Sequence, residues 1–293
     1  MLPREAVVID LHSHTTASDG ELSPTELVAH AVEHGVHTLA ITDHDTVAGI
    51  HEALGAAASH AGFRLIPGIE ITAHLDGCRE LHLLGHLVDP EAPPLRAHAE
   101  HQRTERTERM HRMIGALEAV GCRIRFEQVE EEAAGGQLGR PHLARALLKA
   151  GYVRSMQEAF ARYLGDGRPG HVKREVLSPE AAIALIHGAG GTATLAHPGS
   201  SRMHAHDIER LAGWGLDGIE AHHADHVPSQ RDHFLRLAAK HDLIATGGSD
   251  FHGPTTTPHR RPGSACTPPS SFEALEARRS GRGTQVSPVI STG

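Results

Sequence analysis

The stretch Asp10-Leu11-His12-Ser13-His14 constrains this chain more than any other. It follows an apolar run, Ala6-Val7-Val8-Ile9, that reads as a buried strand. Side chains at i and i+2 of a strand point the same way, so His12 and His14 would present two imidazoles side by side. Two neutral imidazoles at a strand end form half of a transition-metal site. The chain carries 27 histidines, however, so a chance His-x-His is as plausible as a ligand pair. Positions elsewhere in the chain have to decide.

Length and composition narrow the field. A chain of 293 residues suggests two domains, or one α/β barrel with additions. No apolar run is long enough to span a membrane, and the first residues, Met1 to Glu5, lack a signal-peptide pattern. Cys78, Cys122 and Cys266 lie far apart with no Cys-x-x-Cys spacing, which points to a reducing, cytoplasmic setting. The net charge of −8 argues against a long nucleic-acid groove, which needs a basic surface. It leaves room for a small phosphorylated substrate, because bound divalent cations reverse the sign locally. Six Phe, two Tyr and one Trp are too few for an aromatic platform that stacks many bases.

The first ninety residues alternate strand and helix. Ser23-Pro24-Thr25-Glu26 is a helix start with a capping box and proline at the first position, and Gly35 is its stop signal. A strand over 36–41, a helix over 47–60, and strands over 63–66, 69–72 and 81–87 follow. This order predicts a parallel sheet or barrel. Composition shifts at Pro90-Glu91-Ala92-Pro93-Pro94, and a helical insertion is expected over 93–177. There Met110, Met113, Ile114, Leu117 and Val120 recur at helical spacing as core, and the charged run Arg103–Arg109 reads as a solvated helix face. Helices are expected over 141–149 and 156–164. Alternation resumes at Ser178-Pro179, with strands over 192–196, 218–221 and 243–246 and a helix over 229–241. The barrel would thus comprise 1–92 and 178–293. Its tail after about 254 is expected to be mobile, with only Phe272 to Arg279 helical and no fold signal in the last dozen residues.

Six segments place metal-ligand side chains just after these strands: His12 and His14 with Asp19; Asp43-His44; Glu70; His82; His197; and Asp250-Phe251-His252. In a barrel of parallel strands, catalytic groups gather at the C-terminal strand ends, whereas surplus histidines would scatter over helices and loops. Imidazoles mixed with carboxylates suit Mn, Fe or Zn better than Ca or Mg, and the absence of thiolates excludes a Cys-type structural zinc site.

The motifs DLHSHTTASDG, TDHD, PGIE, LHLLGH, AHP and GSDFH, in this order, resemble the PHP (polymerase and histidinol phosphatase) family over residues 7–92 and about 178–253. GRPH at Gly139–His142 is similar to the subgroup that acts on nucleoside 3′,5′-bisphosphates and on the 5′ ends of short RNA. The resemblance implies a distorted (β/α)7, TIM-like barrel and three divalent metals. The ligands it implies are His12, His14, Asp19, His44, Glu70, His82, His197, Asp250 and His252, with Glu70 bridging. Four residues after His82 stands His86, on the same strand face, so the sequence alone leaves that position open.

The implied activity is metal-dependent hydrolysis of phosphate esters. Metals about 3.5–4 Å apart can hold a hydroxide and grip the phosphate. Asp43 either orients a ligand and carries a proton or caps the following turn. Arg140 and His142 are candidates for a second phosphate, since Arg offers a planar fork; the lesser reading is that Arg140 only flanks a helix that Pro141 opens. His223 either faces the site or is a surface histidine. Arg202, His222, Lys173 and Arg174 are weaker candidates, and Arg260 and Arg261 lie in the unmatched tail. The alternatives are an AMP or histidinol-phosphate phosphatase and a non-catalytic metal-binding module. Modules of the latter kind usually lack several ligands, and none is missing here.

Overall fold

A computed structural model describes residues 7–76, 79–133, 135–201 and 203–281. Seven strands form one sheet in sequence order: β1 (Ile9–Asp10), β2 (Thr38–Ile41), β3 (Arg64–Leu75), β4 (Arg79–His86), β5 (Thr192–Leu195), β6 (Gly218–His223) and β7 (Ile244–Gly248). The ends of the sheet meet. Leu11 donates its N–H to the Gly247 carbonyl at 3.2 Å, and Ser13 bridges Phe251 in parallel register. The result is a nearly closed, distorted barrel, as expected.

Helices α1 (Pro24–Glu33) and α2 (Ile50–Ala57) pack outside the first strands. The start of α1 is the one read from sequence: Ser23 Oγ accepts the Glu26 N–H at 3.3 Å, and the Glu26 carboxylate accepts the Ser23 N–H at 2.8 Å. Gly35, at φ +73°, ends the turn in a conformation that costs glycine little.

Three expectations about the strands are corrected. The sheet is not all parallel, because β4 runs antiparallel to both β3 and β5. Only three residues join β3 to β4, and a parallel crossover needs a dozen or more. The separate strands over 63–66 and 69–72 are one strand. Pro67 sits in β3 opposite Ile41, where β2 ends, and Gly68 lets the Ile41 and Gly85 carbonyls come within 2.8 and 2.9 Å of where a Cβ would stand. The buried strand read over 6–9 shrinks to its end: Val7 is half exposed, and Ile9 is buried.

Between β4 and β5 lie α3 (Pro93–Glu118), α4 (Phe126–Ala133), α5 (Arg140–Lys149) and α6 (Met156–Ala159), which continues as a wider turn over Phe160–Leu164. Met110, Met113 and Leu117 bury against Leu143 and Leu147 in an apolar cluster separate from the barrel's. Val120 points to solvent instead. The charged run on α3 is not simply solvated: Gln102 and Glu105 are buried, and Arg106 is nearly so, because Asp45 of the barrel takes its charge at 2.7 Å.

Helices α7 (Pro179–Gly188), α8 (Ala205–Gly213) and α9 (Pro228–Lys240) complete the wall. The segment after 254 is packed down through 281. Thr267 donates its N–H to the Ile9 carbonyl at 2.8 Å, and α10 (Pro269–Gly281) buries Phe272 and Leu275 beside Ile9 and Leu11. The last dozen residues of the sequence-based reading, 282–293, lie outside the described residues, as do Cys78 and Arg202. Among the described residues no helix is long and apolar enough to cross a membrane.

Candidate metal centre

Strand ends carry most of the candidate ligands, but Glu70 and His82 stand within β3 and β4 and not just after a strand as expected; the ligands surround one carboxylate. Glu70 leaves β3 fully buried, with its two oxygens facing different imidazoles. Oε2 lies 3.3, 3.2 and 3.1 Å from His12 Nε2, His14 Nε2 and His44 Nδ1. Oε1 lies 3.0 and 3.1 Å from His82 Nδ1 and His197 Nε2. A second carboxylate, Asp250, brings Oδ1 within 3.3 Å of both His12 and His14, and within 3.5 Å of His252 Nδ1. Asp19 closes the outer side, 3.5 Å from His252 Nε2 and 3.9 Å from His14 and His44.

All nine sequence-predicted ligands fall into four overlapping groups whose donor atoms lie within 4.8 Å of one another. His82, not His86, belongs to them. Four residues along a strand span about 13 Å, so sharing a face does not mean sharing a layer. His86 is buried one layer away, where Nε2 meets the Leu11 carbonyl at 2.9 Å.

The electrostatics are those of a site built for cations. Burial disfavours charge on His14, yet hydrogen bonds to Asp250 and Glu70 carry its pKa up to about 10. His82 is likewise carried to about 10, against burial, by Glu70 and Glu80. Burial prevails at His44 and pushes it down to about 3. Despite their own burial, Glu70 and Asp250 are held well below the usual carboxylate range by the histidines around them. His14 Nδ1 and His197 Nδ1 are buried with no hydrogen-bond partner among the described residues. Unpaired buried polar atoms are costly, and divalent cations would satisfy such atoms. The donor set of imidazole nitrogens and carboxylate oxygens fits divalent cations.

Backbone strain gathers here too. Asp45, His197 and Asp250 adopt positive φ of 52°, 25° and 52°, a region non-glycine residues enter at a cost. Gly248 is needed for a different reason: a Cβ there would stand 2.3 Å from His12 Cβ.

Beside the cluster lies a cavity of about 150 Å³ lined by Asp19, His44 and His82 and, from the helical segment, by Arg106, Arg109, Arg140, His142 and Arg174. Arg140 donates to the exposed Asp166 at 3.4 Å. Arg109 donates to the Val172 carbonyl. Burial, with Arg140 and Arg174 alongside, pushes the Arg109 guanidinium down to about 10. His142 caps its own helix by accepting the Gly139 N–H, and burial lowers it to about 4, so it is neutral at pH 7.

His223 is buried against the cluster, with Nδ1 accepting the Asp225 N–H and Nε2 3.3 Å from Asp250 Oδ2. Arg260 joins Asp250 to Asp225. Asp43 does not line the cavity. Its carboxylate is occupied by the Thr15 N–H, the Thr15 hydroxyl and the Ser18 hydroxyl at 2.6–2.7 Å, and so it holds the loop that carries Asp19. Lys173 is exposed and His222 half-buried.

Sequence reasoning missed Glu220. This buried carboxylate accepts from His12 Nδ1 at 3.0 Å and from the His197 N–H at 2.8 Å, and despite burial the neighbouring histidines lower it to about 2. A carboxylate holding the far nitrogen of a ligand histidine fixes its tautomer. The signal was present as Gly218-Ile219-Glu220, an acid in an apolar strand. Asp45 was missed as well. It accepts from Arg106 and Arg174 at 2.7 and 2.5 Å, tying the helical segment to the barrel beneath the cavity.

Comparison with known proteins agrees with this geometry. The PHP domain matches residues 10–178. A 5′-3′ exoribonuclease of Haemophilus influenzae is 40% identical over 249 residues, 84% of this chain and 90% of that protein. A 3′,5′-nucleoside bisphosphate phosphatase of Chromobacterium violaceum is 38% identical over 251 residues, 84% of this chain and 87% of that one. A solved amidohydrolase from Chromobacterium violaceum, holding sulfate and no metal, superposes with a TM-score of 0.82 at 35% identity, covering 93% of this chain and 97% of that one. With a matched domain, relatives similar over 84% of the chain and the cluster in place, the chain belongs to the PHP family and is a phosphoesterase.

Proposed function

We propose that this protein hydrolyses phosphate esters of small nucleotides, namely nucleoside 3′,5′-bisphosphates and the 5′ ends of short RNA, using up to three divalent transition metals. The observation that carries this reading is the pairing of a nine-ligand cluster with an arginine-lined cavity at its edge. His12, His14, Asp19, His44, Glu70, His82, His197, Asp250 and His252 would hold the metals, with Glu70 shared between them. When bound, such cations offset phosphate charge and lower the pKa of a water.

The chain's own residues do the rest. Glu220 keeps the proton of His12 on Nδ1 and leaves Nε2 turned to the cluster. Arg109 donates to a backbone carbonyl and Arg140 to an exposed carboxylate, so both line the cavity with planar forks suited to a second phosphate. Neutral His142 adds a ring nitrogen beside them. The Asp225 N–H occupies His223 Nδ1, which leaves the His223 proton on Nε2, toward Asp250. Cys122 and Cys266 are free thiols, in keeping with a cytoplasmic setting.

Metal analysis of the purified protein, followed by assays on adenosine 3′,5′-bisphosphate, AMP, histidinol phosphate and short 5′-phosphorylated RNA, tests the proposal. Turnover of the bisphosphate and RNA above the two monophosphates is expected. No turnover of any of them at full metal occupancy would sink it. Arg140→Ala should reduce kcat/KM for the bisphosphate by about tenfold to a hundredfold, the value of one charge-assisted contact, and should leave AMP within about threefold. Equal losses on both substrates would remove the two-phosphate arrangement. Glu220→Gln should weaken metal affinity about 10- to 100-fold, read by titration with a competing chelator. Unchanged affinity would show that His12 needs no such partner.

A further inference from the structure

A second concavity adjoins the first. It measures about 740 Å³ and runs between α3, the barrel loop at Thr46–Ala48 and the segment Gly135–Leu138. Arg106 and Gln137 line both spaces, so the groove opens from the wall of the arginine cavity. At that shared wall Arg106 Nε and Gln137 Oε1 are buried and have no hydrogen-bond partner among the described residues.

Volume argues that the substrate extends there. Sites for small molecules run about 300–1,000 Å³. The arginine cavity, at about 150 Å³, falls short of that range and takes phosphate groups rather than a whole nucleotide. The groove lies well inside the range. Its walls are small and apolar at Ala48, Ala97 and Leu138, and they carry Arg96, Arg103 and Arg106 beside Glu100 and Glu130, with Arg103 held by Glu100 at 2.8 Å. No aromatic side chain lines it among the described residues, so stacking would fall to the guanidinium planes, which RNA bases accept. An unpaired donor and an unpaired acceptor also suit a ribose 2′-hydroxyl, which is both.

We propose that this groove seats the sugars and bases of a single-stranded oligoribonucleotide whose terminal phosphates lie in the arginine cavity, so that chain length sets affinity. The proposal rests on the phosphoesterase reading above. Ala48 and Ala97 are exposed groove residues outside the core, and their enlargement fills the groove without disturbing packing.

The test uses the metal-loaded full chain and 5′-phosphorylated oligoadenylates from one nucleotide upward. KM should fall about tenfold for each added base until the groove is full, the scale of a stacked base, with little change in kcat. Ala97→Trp and Ala48→Trp should reduce that length advantage at least about fivefold. Independently of turnover, an oligonucleotide with 4-thiouridine at its second or third position should photo-crosslink to peptides from α3 or residues 46–48. Hydrolysis with a length-independent KM, or crosslinks elsewhere, would overturn the groove assignment and leave the phosphoesterase intact. Crosslinking at the groove without hydrolysis of any ester would support the groove and count against the activity.

Discussion

Glu70→Gln is expected to lower kcat/KM by about a thousandfold or more and to leave the protein short of metal. The carboxylate has five imidazole nitrogens within 3.3 Å of its two oxygens. The amide keeps the shape and removes the charge, and half of it presents N–H groups to the same nitrogens. A metal supplies several kcal/mol of charge stabilisation, and each 1.4 kcal/mol is a factor of ten in rate. Metal content by plasma mass spectrometry and steady-state kinetics measure the two effects, and circular dichroism checks the fold. A variant with full metal content and near-normal turnover would remove Glu70 from the centre of the site.

Asp45→Asn should produce the largest loss of stability. Asp45 is buried, and it is the shared anion for Arg106 and Arg174. Breaking a buried ion pair from one side costs about 3–5 kcal/mol, because the remaining charges lose their partner. At about 2–4 °C per kcal/mol, the melting temperature should fall by roughly 6–20 °C.

The pH dependence has a definite sign. Despite burial, Arg174, His98 and Arg106 hold the Asp45 carboxyl well below its ordinary value of 3.8. A depressed pKa contributes stability above the unfolded value, and that stability is lost as pH falls toward the folded value. The gap between native protein and variant should therefore be full at pH 7 and should narrow below about pH 4. Limited proteolysis should open the helical segment first, since Asp45 anchors it to the barrel. A thermal midpoint within a degree or two of the native value would show that the arginines find other partners.

Much of the site was legible in the sequence because it obeys local rules. His12 and His14 alternate just past β1, Asp43-His44, His197 and Asp250-Phe251-His252 each follow the end of an apolar run, and Glu70 is an acid within one. Such positions can be read without knowing which strand neighbours which. Three things resisted. The antiparallel β4 follows from a three-residue connection; Asp76-Gly77 is a hairpin signal, but the strand–helix alternation around it favoured an all-parallel reading. The burial of Arg106 depends on Asp45, sixty-one positions earlier, and a charged helix face looks solvated until its partner is known. Asp43 resembled a catalytic acid by its place beside His44, yet its oxygens are consumed by Thr15 and Ser18.

The sequence by itself determined the donor chemistry: imidazoles and carboxylates, without thiolates, in and just after the apolar runs that become strands. It also determined the helix starts at Ser23 and Ser178, because capping needs only neighbours in the chain. The tertiary structure decided which groups converge. Closure of the barrel brings Asp250 to His12 across 238 positions and sets Glu220 behind His12. It chose His82 over His86 by layer. It also turned Arg106 and Arg174 inward to a buried carboxylate, while Arg109 and Arg140 were left facing a cavity. Convergence of this kind depends on strand order and register, which link residues far apart in sequence, and local propensity carries no information about either.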